Sequence, residues 1–131
     1  MASFTFDVRI EPERNVMYMT QSGRPSAGDF EQVHQEVMAA ADRLKRGFIL
    51  VNDQRRLEPF DEGAMVVAKG LIADIGRAGV SKVIRIVPSD LVSMTKILRA
   101  LVTADSPYPT IRVSSSKQAE EILAGERSTD G

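Results

Sequence analysis

Four apolar side chains, Phe4, Phe6, Val8 and Ile10, alternate with Thr5, Asp7, Arg9 and Glu11 at the start of the chain. A period of two is the mark of a strand with one buried and one wet face, so this stretch is predicted to be extended. Pro12 to Asn15 supplies a turn and Val16 to Gln21 a second strand. So short a connection pairs the two as an antiparallel hairpin, which Gly23 and Pro25 end. The period then changes. Phe30, Val33, Val37, Ala41 and Leu44 recur at helical spacing as far as Gly47, and Ser26 with Asp29 matches a capping pair at the helix start.

Phe48 to Val51 is apolar at every position and too short for a helix, which predicts a strand buried on both faces. Asp61 to Ala78 is predicted as the second helix, with Ala64, Met65, Ala68, Leu71, Ile72 and Ile75 on one stripe and Gly79 as its stop. Val83 to Val87 reads as the next strand. A third helix follows from Ser89 or Asp90, with Leu91, Met94, Leu98, Leu101 and Val102 as its stripe. Thr110 to Val113 gives a last strand and Ser116 to Leu123 a short last helix. The order ββαβαβαβα predicts an α/β domain: a five-stranded, mostly parallel sheet with an N-terminal antiparallel hairpin and four helices, joined by right-handed crossovers. The expected domain covers residues 1–124, with residues 125–131 as a frayed tail.

Composition narrows the functional classes. At 131 residues the chain is sized for one domain that buries roughly two-thirds of its unfolded surface. Its 43% hydrophobic and 27% charged content is that of an ordinary globule without a membrane span. Lys+Arg at 17 against Asp+Glu at 18 leaves a net charge of -1, which lacks the field that draws proteins to nucleic acid. The absence of cysteine excludes disulfides, thiolate metal sites and a cysteine nucleophile. No basic flank followed by an apolar run opens the chain, so no secretory signal is read and cytoplasmic residence is the default expectation.

The candidate chemistry gathers after Val51, where Asp53, Glu58, Asp61 and Glu62 follow with no serine, threonine, cysteine or histidine among them. Asp53 with Asp61 could do acid-base work or hold a hard cation only by converging, whereas a helix N-terminus favours acidic residues in any case. No dinucleotide or phosphate loop, nucleophile elbow or paired histidines occur. No catalytic residue, metal ligand or cofactor is nominated. His34, at the edge of the first helical stripe, reads as a boundary residue making one hydrogen bond. Arg85 interrupts an apolar strand, so it either pairs with a carboxylate or shares with Val83 and Val87 a face partly open to water. Arg112 sits similarly in the last strand, and together the two form a candidate anion or ligand patch. On the second helix Val66 projects opposite the core stripe, Val67 lies at its margin, and Gly63 and Gly70 share the outer side. Exposed apolar groups beside small residues suit the close approach of another protein or a second copy of the chain.

In element order and length, residues 4 to 124 resemble the STAS-type anti-sigma-factor antagonists and the related uncharacterised bacterial STAS-like domains grouped with CRAL-TRIO lipid-binding modules. In the regulatory members a buried strand ends in an aspartate, and an Asp-Ser-Ser-Gly or Asp-Thr-Ser-Gly motif then opens the next helix, its first hydroxyl phosphorylated. Asp53 and Asp61 match the two aspartates, Glu62 stands at the phosphoacceptor, Gly63 follows, and Ala64 replaces the glycine. A carboxylate has less charge and fewer acceptor oxygens than a phosphate, so Glu62 is at best a weak mimic of the modified state. The resemblance implies strands in sequential sheet order, helices mainly on one face in a right-handed superhelix, and an open face holding Arg85. It further implies a non-enzymatic regulatory or scaffold domain that binds another protein, or itself, through the region from Asp53 to Val67 without a phosphorylation switch. The alternative is a small-ligand or lipid-head-group module with a cavity beneath the second and third helices, or using the Arg85 and Arg112 face. A hydrolase would need Asp53, Asp61 and Glu62 to converge.

Overall fold

The structure is a computed structural model that describes residues 3–88 and 107–129. Strands β1 (Thr5–Glu11), β2 (Val16–Gly23), β3 (Ile49–Leu57), β4 (Lys82–Ile86) and β5 (Thr110–Val113) form one sheet in that order. β1 runs antiparallel to β2, and all other neighbours are parallel. Three helices lie among the described residues: α1 (Ala27–Ala41), α2 (Glu62–Ala78) and α3 (Ser116–Thr129). The helix expected over Ser89 to Val102 lies outside the described residues. No helix among those described is long and apolar enough to cross a membrane.

Local chemistry explains the element boundaries. Asn15 takes a φ of 57° in the hairpin turn, a conformation asparagine tolerates, and its side chain bonds both the N–H and the carbonyl of Lys45. Ser26 and Asp29 close a reciprocal capping box, with Asp29 N donating to Ser26 Oγ at 3.1 Å and Ser26 N to Asp29 Oδ2 at 2.8 Å. α1 stops at Ala41, before Leu44, because Asp42 begins a turn; Leu44 still packs against the core. Gly79 ends α2 in the left-handed conformation at φ 103°. α3 continues to Thr129, beyond the expected Leu123.

Both faces of the sheet are covered. Met17, Leu50 and Val83 pack on one face against Phe30, Val33 and Val37 of α1 and Ala64, Ala68, Leu71 and Ile75 of α2. On the other face Val16, Val51, Ile84 and Ile86 lie beneath Ala119 and Leu123 of α3. The helices are thus divided between the faces, and β4 is buried from both sides. β3 departs most from expectation, since it runs nine residues and carries Asn52 to Arg56 beyond its apolar start. Thr20 pairs with Asp53 but Ser22 with Arg56, so β3 holds one extra residue opposite Gln21. This bulge leaves Arg55 and Arg56 both exposed and returns Leu57 to the core.

Candidate functional site

The acidic segment does not form one cluster. Asp61 is the N-cap of α2, its Oδ1 accepting from Ala64 N at 2.9 Å, and Glu62 follows exposed in the first turn. Glu58 lies half-buried at the exit of β3, where its N–H donates to Gly23 O at 2.8 Å. Asp53 is not in a loop with them but within β3, on the face covered by α3. Its two oxygens accept from Arg55 Nε at 3.0 Å and Nη2 at 2.8 Å, and Arg55 Nη2 also donates to Ser116 Oγ. Burial alone would push Asp53 up. The Arg55 guanidinium and the Arg55 backbone N–H outweigh it and hold the carboxyl below the usual carboxylate range. With Asp53 committed to Arg55 and Asp61 to the helix end, the carboxylates do not share a centre. Among the described residues no group of three or more acidic or histidine side chains is placed to hold a metal.

The first three turns of α2 carry the other expected residues. Gly63 and Gly70 are exposed, the latter with open space where a Cβ would stand, and Val66 is 70% exposed. Val66 is the exposed large hydrophobic residue among those described. Val67 turns partly inward and, with Gly70, borders a cleft of about 330 Å³ against α1. A second cleft, about 400 Å³, separates the N-termini of the two helices and is lined by Arg24, Pro25, Pro59, Phe60 and the two capping residues.

Arg85 overturns the expectation of an open face. It is 4% exposed and lies beneath α2, in register with Asn52 on one side and Arg112 on the other. Burial lowers its pKa, with Arg112 acting in the same direction and Tyr108 opposing. Arg112 is itself exposed, so the two arginines adjoin without sharing an environment. Around Arg85 the sheet carries a polar seam: Gln21, Asn52 and Gln54 are all buried on the same face. They border a small cleft of about 40 Å³ under α2. The Arg85 signal was visible in the sequence, whereas Asn52 and Gln54 lie beyond the strand expected over Phe48 to Val51 and carried no signal of their own.

His34 makes the single hydrogen bond expected of it, at 2.7 Å from Nε2 to Asp74 Oδ2 on α2, while Arg77 bonds the other oxygen of Asp74. The His34 bond, seconded by Arg77, holds the Asp74 carboxyl below its usual range. A depressed carboxylate adds stability above its unfolded value, near about pH 4, which is lost as pH falls through the folded value. Asp74→Asn is therefore expected to lower the urea midpoint at neutral pH, by a deficit that shrinks as the pH falls through the folded value. Unfolding curves across that range test this; an equal deficit at both ends would exclude the charge as its cause.

No protein-family model matches the chain. No curated protein matches it in sequence. Among solved structures, an uncharacterised protein of the DUF3478 family with a SpoIIAA-like fold, from Shewanella loihica PV-4, matches with a TM-score of 0.68 at 14% identity, over 94% of this chain and 95% of that one. The anti-sigma factor antagonist SpoIIAA in its unphosphorylated form gives 0.64 at 12% identity, over 92% and 99%. An anti-sigma factor antagonist from Mycobacterium paratuberculosis gives 0.58 at 16% identity, over 93% and 95%. At these identities the likeness is one of fold, and the chain has the STAS-like fold of these proteins.

Proposed function

We propose that this STAS-like domain is a non-enzymatic regulatory or scaffold module that acts by binding another protein through the exit of β3 and the first turns of α2. The observation that carries the reading is Val66, exposed at 70% on the outer side of α2. It stands one turn past Glu62 on the helix whose N-cap, Asp61, lines the cleft between the helix N-termini. Exposed valines are common singly, but this one is flanked by the exposed glycines 63 and 70, which let a partner's backbone approach. Anti-sigma factor antagonists share the fold, which favours a protein partner over a substrate. Position 62 offers no hydroxyl, so the proposed contact is not switched by phosphorylation there.

Val66→Glu tests the reading. Its effect on stability should stay within about 0.5 kcal/mol, since the side chain is mostly in water. Affinity for a partner captured by the wild type should fall at least about tenfold, equivalent to about 1.4 kcal/mol. Capture of the same partners at the same affinity would refute the interface. Solution mass of both proteins tells a second copy from a different partner: a dimer that Val66→Glu dissociates assigns the surface to self-association.

A further inference from the structure

The void beneath α2 has a polar floor and an apolar roof. Gln21, Asn52, Gln54 and Arg85, each more than nine-tenths buried, line the floor from three adjacent strands, and Leu71 and Ile72 line it from α2. Gln21 Nε2 donates to Asn52 Oδ1 at 3.3 Å, which leaves Gln21 Oε1 without a donor. Gln54 Oε1 is likewise buried without one. Two buried carbonyl oxygens on residues that line one space are costly unless an occupant donates to them.

We propose that this void is a binding site for a small neutral molecule of the primary carboxamide class. One amide nitrogen carries two N–H groups and serves both glutamine oxygens. Its carbonyl oxygen offers an acceptor to the side-chain NH₂ groups of the seam, and a methyl-sized tail meets Leu71 and Ile72. A carboxylate of the same size has no donor for the glutamines. A primary ammonium has donors but no acceptor for the side-chain NH₂ groups of the seam. The volume of about 40 Å³ matches an occupant of a few non-hydrogen atoms better than an aromatic or long-chain amide.

Acetamide is the probe. Titrated into isotopically labelled wild-type protein, it should give saturable shifts at the side-chain NH₂ signals of Gln21, Asn52 and Gln54 and the methyls of Leu71 and Ile72. So small a ligand should saturate on the order of millimolar concentration. Acetate, methylammonium and benzamide should give none. Gln54→Met, which keeps the length and shape of the side chain, should abolish the response while the remaining spectrum stays folded. The proposal is overturned by a linear, non-saturating response of the wild type, by an equal response to acetate, or by a response that survives Gln54→Met. A high-resolution structure grown in acetamide that shows only water in the void overturns it as well.

Discussion

Phe30→Ala is expected to lower stability by about 3–5 kcal/mol, from a total for a domain of this kind of about 5–15 kcal/mol. Phe30 sits in the first turn of α1 at 2% exposure and meets Phe60 edge-on, with ring centroids 5.1 Å apart and planes at 84°. It also contacts Phe4 at 6.1 Å, and Phe4 stacks on Phe6. One ring therefore joins β1, α1 and the segment that leads into α2. Truncation removes its burial and its aromatic contacts together, and leaves a cavity that merges with the void beside Gln21. Phe30→Leu fills most of that space and should cost far less. Urea unfolding followed by circular dichroism gives both values; a loss under about 1 kcal/mol for alanine would show that the helices close over the gap.

The aromatic cluster was legible because Phe30 lies on a helical stripe and Phe4 and Phe6 on an alternating strand, patterns that local sequence encodes directly. The same holds for the capping box at Ser26 and Asp29 and for the stop at Gly79, where one or two residues decide the backbone. The polar half of β3 was not legible, for a physical reason. Asn52 and Gln54 point into the core while Arg55 and Arg56 both point out, so alternation of polarity is lost and the bulge breaks its period as well. The four carboxylates then looked like one acidic loop, although Asp53 belongs to the α3 side of the sheet and Asp61 to a helix end. Arg85 was recognised as anomalous, yet its side of the sheet depends on which face α2 covers. His34 and Asp74 are forty residues apart, and only the packing of α1 on α2 unites them. What sequence withheld in each case was a contact between elements, and the polar seam under α2 is the largest of these.

Gly23→Ala is expected to cost about 2–4 kcal/mol, although it adds a single methyl group. Gly23 ends β2 at φ 95°, a conformation that disfavours any Cβ by about 1–2 kcal/mol. A Cβ there would also stand 2.1 Å from the Ser3 carbonyl oxygen and 3.2 Å from Phe4 Cα. Both are backbone atoms, so no side-chain rotation relieves the clash. Gly23 cannot readily withdraw, because its own carbonyl accepts from Glu58 N and its Cα pairs with Leu57 in the sheet. The N-terminal segment must move instead, which pulls Phe4 off Phe30. Gly70→Ala is the control, since nothing lies within 4 Å of its added methyl, and alanine inside a helix should gain about 0.5–1 kcal/mol. Opposite signs for the same chemical change would locate the cost in the Gly23 backbone and its contact with Ser3. A neutral Gly23→Ala would mean that residues 3 and 4 are not held against β2, and the Phe4 contact would then contribute nothing to the stability attributed to Phe30.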